Sequence, residues 1–220
     1  LAHVAGDAPV FDAAGLTIIP GLVQGHVHLG QSLFRGLAED RQLLSWLADR
    51  IWPLEAAHNH ESSYWSAMLG VADMLLSGTT TIQDIGIVRG MEGLLTAVRE
   101  TGLRAIAGKC LMDSGAGVPP RLVQESRESL TEAASLYEQW HGHDDGRISI
   151  NLCPRFILSC SQALWEGCVV LAHPPATAIH THLLETPEEA QAVLEILGRE
   201  QMAYLDDLGV LDTRLCIAHG

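Results

Sequence analysis

No apolar run in these 220 residues approaches the roughly 20 needed to span a bilayer, so a membrane anchor is not expected. Positive charge is scarce: 13 Lys and Arg stand against 27 Asp and Glu, a net charge of −14. Such a surface repels phosphate backbones and anionic headgroups, which argues against nucleic acid and membrane as partners. There is no CxxC pair, and the five cysteines (Cys110, Cys153, Cys160, Cys168 and Cys216) are odd in number. Four lie within or beside apolar runs, so buried free thiols in a reducing compartment are expected, and with them a cytoplasmic protein. The start, LAHVAGDAPV, has no basic segment leading into an apolar one, so no secretory leader is expected. Internal repeats and low-complexity linkers are also lacking.

What is present is an ordinary globular composition, 47% apolar and 18% charged, long enough for one sizeable core. Short β-rich runs alternate with helical patterns. Strands are predicted over Leu16–Val23, Thr79–Ile85, Leu103–Lys109, Ile148–Leu152, Thr177–His182 and Arg214–Ala218. Helices are predicted over Ser62–Leu76, Met91–Thr101, Arg121–Trp140 and Pro187–Glu200, the last with Thr186 to cap it and Pro187 at its first position.

Strand–helix alternation implies a parallel sheet, either open and doubly wound or closed into a barrel. No glycine-rich phosphate loop follows an early strand, which removes the main signature of a dinucleotide-binding sheet. Ligand-type residues sit at the C-terminal ends of several strands, where a (β/α)8 TIM-type barrel keeps its chemistry. The fold class expected is therefore α/β, with about six of eight barrel strands in the chain as given. Residues 18–220 are assigned to the barrel, strands 1–6. Residues 1–17 read as the remnant of a small flanking β domain.

Four His-x-His pairs occur: His26/His28, His58/His60, His141/His143 and His180/His182. On a strand, residues i and i+2 share a face and can grip one ion; on a helix they point about 200° apart. His58/His60 lies in a polar stretch and His141/His143 in a turn, so both read as solvated surface. His26/His28 ends an apolar strand, with Gly25 allowing close approach. His180/His182 ends another, with Glu185 three residues on, and His219 ends a third. Neutral imidazoles from different strands suit zinc or iron.

At these residues the chain resembles the amidohydrolase superfamily, in its adenosine/cytosine-deaminase-like branch. PGLVQGHVHLGQSLFRGLAED with IWPLE, then SGTTTIQDIG, RAIAGKCLMD, CPRFILSC, IHTHLLET and LCIAHG are similar to that branch's first six strand regions, in order. The likeness extends to deaminases of 5′-deoxyadenosine, methylthioadenosine and S-adenosylhomocysteine, with triazine hydrolases and guanine-type deaminases close behind. It implies a metal-dependent hydrolytic deaminase of a purine nucleoside or related N-heterocycle. A triazine-type hydrolase and an inactive binding barrel are the alternatives.

The resemblance further implies one divalent metal, zinc ahead of iron, held by His26, His28 and His182. It gives Glu185 the role of proton shuttle and His219 that of orienting the hydrolytic water. The remaining ligand of the family, an eighth-strand aspartate, is not in this sequence. Gln31, Glu55 and Arg155 are implied substrate-binding residues, Arg155 standing where some nucleoside deaminases carry a histidine. The partner implied is a small heterocycle, with homo-oligomerisation left open. His180 is read as packing or supporting the ligands, Asp84 as either a supporting carboxylate or a strand-end cap, and Trp46, Trp52 and Trp65 as core or interface packing.

Overall fold

Pro20 carries no amide hydrogen and so offers no donor to a ladder at its position. In the computed structural model, which describes residues 9–173 and 177–220, pairing starts two residues later, where Leu22 N–H donates to Gly78 O at 2.9 Å. Strand β1 is therefore Leu22–Val27 rather than the predicted Leu16–Val23, and Ile18 and Ile19 are exposed. Residues 9–13 are without regular structure and Ala14–Gly15 form a turn, with Ala14 N–H donating to Asp12 Oδ1 and Leu16 N–H to Ala13 O; residues 1–8 lie outside the described residues.

The other strands follow in chain order: β2 (Thr79–Asp84), β3 (Arg104–Ala107), β4 (Cys110–Leu111), β5 (Ile148–Ile150), β6 (Cys153–Pro154), β7 (Ile179–Leu183) and β8 (Leu215–His219). The predicted third and fourth strands, Leu103–Lys109 and Ile148–Leu152, are each cut short, and a separate two-residue strand follows each. Gly108 sits at the break between β3 and β4, where a Cβ would collide with Asn151 O and the Cys153 sulfur. Only glycine allows the two chains to approach so closely there. All pairings are parallel: β1–β2–β3–β5 in one sheet, β4–β6 continuing it, a bridge from Leu152 to Ile179, then β7–β8. The strand regions thus succeed one another in space as in sequence. No closed ring of strands is formed among the described residues.

Helices α1 (His60–Leu76), α2 (Met91–Thr101), α3 (Ser126–Trp140), α4 (Gln162–Ala172), α5 (Pro187–Leu197) and α6 (Gln201–Asp207) lie between strands. Asn59 and Ser62 form a reciprocal capping box that starts α1 two residues early. Gly102 and Gly198, both left-handed, end α2 and α5. Sequence patterning missed α4, because ALWEGCVVLA is apolar on nearly every face. Leu164, Trp165 and Cys168 are buried while Val170 is exposed. The main core lies between the first sheet and helices α1 to α3, around Ile82, Leu94, Leu95 and Ile148. Each such side chain contributes about 1.5–3 kcal/mol by burial. Trp52 packs inside, but Trp65 is 55% exposed and takes no part in the core. Four cysteines are buried and all five are free, as expected. No helix among the described residues is long and apolar enough to cross a membrane.

Candidate metal and proton-transfer site

Because side chains alternate along a strand, His26 and His28 share one face of β1, as His180 and His182 share one face of β7. The curl of the sheet sets the two faces opposite each other. His28 Nε2 lies 3.0 Å from His182 Nε2, and His26 Nδ1 lies 3.0 Å from His180 Nε2. Ring nitrogens of His26, His28 and His182 all fall within 4.8 Å of one another. His180 is fully buried one layer deeper, with Nδ1 unpartnered among the described residues. It supports His26 from below, in keeping with the packing role read from sequence.

The His182 imidazole has its orientation set from behind. His182 Nδ1–H donates to Arg155 O at 2.8 Å, and its backbone N–H donates to the same oxygen at 3.0 Å. The tautomer is thereby fixed, and Nε2 presents a lone pair to the centre. Burial, then the neighbouring His182, Arg155 and other imidazoles, holds His28 well below its usual range. Burial, then Arg155, does the same for His182. Burial and His219 lower His26 to about 4. All three are neutral near pH 7, the form that ligates. At the roughly 2.0–2.1 Å zinc–nitrogen bond and a tetrahedral angle, two ligand nitrogens stand about 3.3 Å apart. The 3.0 Å gap between His28 and His182 therefore fits an ion after a shift of a few tenths of an ångström.

Behind the rings lies a buried polar chain. Gln31 Nε2 stands 3.3 Å from His28 Nδ1 and donates to Glu55 Oε1 at 2.9 Å, and Arg155 donates to Glu55 Oε2 at 2.5 Å. Glu55 and Arg155 are 5% and 4% exposed. Burial works against the Arg155 charge, but Glu55 and Cys110 together more than offset it and its pKa is raised. Asp84 is fully buried and accepts from Leu29 N–H (2.7 Å) and Gly86 N–H (2.8 Å), so it caps β2 and ties down the residue after His28. Burial lifts its pKa to about 7.

At the open end, His219 Nε2 and Glu185 Oε2 are 3.5 Å apart. Burial raises the Glu185 pKa, His219 opposes the rise and Glu189 adds to it. His26, His28, Arg155, His182, Glu185 and His219 line one cavity of about 190 Å³. Gln31 and Glu55 do not line it; they stand behind His28 and Arg155. Sequence reasoning missed the cavity's apolar wall, Leu43, Leu47 and Phe156, and took Trp46 for packing only. These residues sit on a helical stretch and a turn whose facing direction no local pattern reveals.

One surface assignment is overturned. His58 is 3% exposed, with Nδ1 2.9 Å from Ser62 Oγ, Nε2 2.7 Å from Gly30 O, and its ring stacked on Phe34 at 5.1 Å. The loop after β1 folds over it, which the polarity of AAHNHESS conceals. His60 and the His141/His143 pair are exposed, as read.

Comparison with known proteins agrees with this geometry. The model of the amidohydrolase family matches residues 17–220. A 5′-deoxyadenosine deaminase of Methanothermobacter thermautotrophicus is 37% identical over 215 residues, 97% of this chain and 48% of that protein. A 5-methylthioadenosine/S-adenosylhomocysteine deaminase of Thermoanaerobacter pseudethanolicus is 32% identical, over 96% of this chain and 47% of its own length. Among solved structures, a Xanthomonas campestris adenosine deaminase with bound zinc superposes with a TM-score of 0.80 at 30% identity, covering 91% of this chain and 44% of that one. The chain thus spans about half the length of the curated relatives it matches.

Proposed function

The chain belongs to the amidohydrolase family, and from that premise we propose that it carries the metal-binding half of a hydrolytic deaminase acting on a purine nucleoside or related N-heterocycle. The observation that carries the reading is the meeting of His26, His28 and His182 beside the Glu185–His219 pair in one cavity. Relatives named for deamination of 5′-deoxyadenosine and of methylthioadenosine/S-adenosylhomocysteine support the substrate class. In the same reading the six successive strand regions are staves of a (β/α)8 barrel, whose C-terminal face is where such a site belongs.

His26, His28 and His182 would hold one divalent ion, zinc ahead of iron. When bound, such an ion lowers the pKa of water from 15.7 to roughly 7. The rest falls to side chains. Glu185 takes one proton from the attacking water and gives it to the ring nitrogen, then takes the second from the hydroxyl so formed and gives it to the departing amine. The C–O bond forms, the C–N bond breaks and ammonia leaves. An aromatic amine leaves poorly unless protonated, which accounts for a carboxylate of raised pKa at this spot. His219 Nε2, beside that carboxylate, orients the attacking oxygen and offsets its developing charge. Arg155, oriented by Glu55 and Gln31, offers donors to acceptor atoms of the heterocycle. Trp46 and Phe156 offer flat faces to its ring.

The test uses the full-length protein loaded with zinc. Ammonia release is measured from 5′-deoxyadenosine, methylthioadenosine, S-adenosylhomocysteine, adenosine and guanine, alongside metal stoichiometry. Release from at least one nucleoside, abolished by chelation and restored by zinc, is expected. A zinc-loaded protein that frees ammonia from none of them sinks the reading.

A further inference from the structure

The loop leaving β7 makes a left-handed turn at a residue poorly suited to it. Leu184 has φ +56°, a conformation that side chains other than glycine, Asn and Asp rarely adopt. It lies between His182 and Glu185, so the direction in which Glu185 departs from the strand depends on this one backbone torsion.

Two buried side chains hold the turn. Leu184 N–H donates to Gln201 Oε1 at 3.0 Å, Gln201 Nε2 donates to Glu189 Oε1 at 3.1 Å, and Glu185 N–H donates to Glu189 Oε2 at 2.8 Å. Glu189 and Gln201 are 0% and 1% exposed. A glutamate at the third position of a helix ordinarily turns back to the amide of the capping residue, here Thr186. Glu189 instead reaches one residue further, to Glu185. Burying a carboxylate without a cation is costly, so a merely structural plug would be better served by an apolar side chain. Its bonds are spent on the amide of Glu185 and on the glutamine that holds Leu184.

We propose that Glu189 and Gln201 are positioning residues for Glu185, locking the turn at Leu184 so that the proton-transfer carboxylate leaves β7 aimed into the cavity. This rests on the reading of Glu185 as proton carrier. The charge of Glu189 also sits close enough to favour the protonated form of Glu185, in the same sense as burial does.

The circuit has a direction, which makes it testable. Its donors are two backbone amides and one glutamine NH2, so it needs a carboxylate at 189 and an amide at 201. Glu189→Gln leaves one donor facing another whichever way the amides turn. The exchange Glu189→Gln with Gln201→Glu restores every bond with the roles reversed. In the metal-loaded full-length protein, Glu189→Gln should lower kcat by about 10²-fold, the order of loss for a misplacement near 1 Å. KM and metal content should stay within about twofold of wild type, because the loss falls on the transition state. The double exchange should recover most of the kcat. Should Glu189→Gln fail to fold, Gln201→Met, which at similar volume removes the Leu184 bond and the donor to Glu189 Oε1 but keeps the Glu189 bond to the Glu185 amide, should lower kcat by about 10-fold at unchanged metal content.

Unchanged kcat in Glu189→Gln, or in Gln201→Met in its place, overturns the proposal if Glu185→Gln is inactive in the same assay. So does a double exchange that stays as slow as Glu189→Gln. If Glu185→Gln itself keeps full turnover, the proton-carrier reading fails first and this proposal with it.

Discussion

On the β1 side of the site, His26 and His28 are backed by side chains from β7, from β2 and from the helical segments that follow β1. On the β7–β8 side, Glu185 and His219 stand at an edge and are steered by their backbone. His180 supports His26, Gln31 and Glu55 stand behind His28, and Asp84 ties down Leu29. By contrast the side chains of His219 and Glu185 are 37% and 27% exposed, and His219 itself sits at φ +74°. The contrast teaches how the work is divided. Groups that must present lone pairs at fixed positions are embedded in a rigid polar lattice. In the proposed reading, the groups that move protons are aimed by the backbone turns that carry them.

The sharpest break in that contrast comes from the ligands. His28→Ala or His182→Ala should abolish stoichiometric zinc binding and reduce turnover to background, as read by metal analysis on purified protein. A variant that keeps a full zinc complement would move the ligand role away from these rings. Next in size is Glu185→Gln, which should cost about 10²–10⁴-fold in kcat while zinc content stays near wild type. Loss of zinc in that variant would put Glu185 on the ligand side and dissolve the distinction between the two regions.

Glu55→Gln probes the lattice instead. It leaves the Arg155 guanidinium buried without its partner, which should lower unfolding free energy by about 3–5 kcal/mol in urea titration. Glu55→Gln combined with Arg155→Met should regain most of that stability. A single variant as stable as wild type would mean that the pair is not held in a dry site.

The smallest effect concerns pH. Burial, with help from neighbouring imidazoles, lowers His26 and His180 to about 4 from 6.5. The unfolded chain therefore binds more protons between these values. Their contribution to stability is complete above about pH 6.5 and is lost as pH falls toward 4. Metal-free protein should become easier to unfold across that window, and His180→Phe should flatten the slope. Asp84, raised to about 7, opposes this trend, since its contribution is lost as pH rises through 7. In an Asp84→Asn background, which removes the opposing carboxyl, denaturant midpoints that do not move between pH 7 and pH 5 would show the imidazoles to be well hydrated.

The order of the strand regions was legible in sequence because apolar runs, glycine stops and a helical period are local signals. So was the convergence of His26, His28 and His182, since strand spacing puts each pair on one face. The breaks in the third and fourth strands were not, because they come from the close crossing of Gly108 over Asn151, a contact between residues 43 apart in number. His58 was misjudged for a related reason: burial was conferred by the Gly30–Phe34 loop, not by its own neighbours. The Glu189 clamp left one trace, the TPEE pattern of a capping box, and that pattern points to Thr186 rather than to Glu185.

Arg155 serves the two sides with different parts of itself. Its carbonyl oxygen fixes His182, whereas its guanidinium meets Glu55 and faces the cavity. A main-chain carbonyl survives any substitution that preserves the fold. Under the proposed function, exchange of the side chain at position 155, together with its partner at 55, would therefore alter what the cavity recognises while the imidazole keeps its tautomer and aim. If the proposed metal site holds, lineages sharing this scaffold could change substrate through such paired exchanges while His182 remains aimed at the same point.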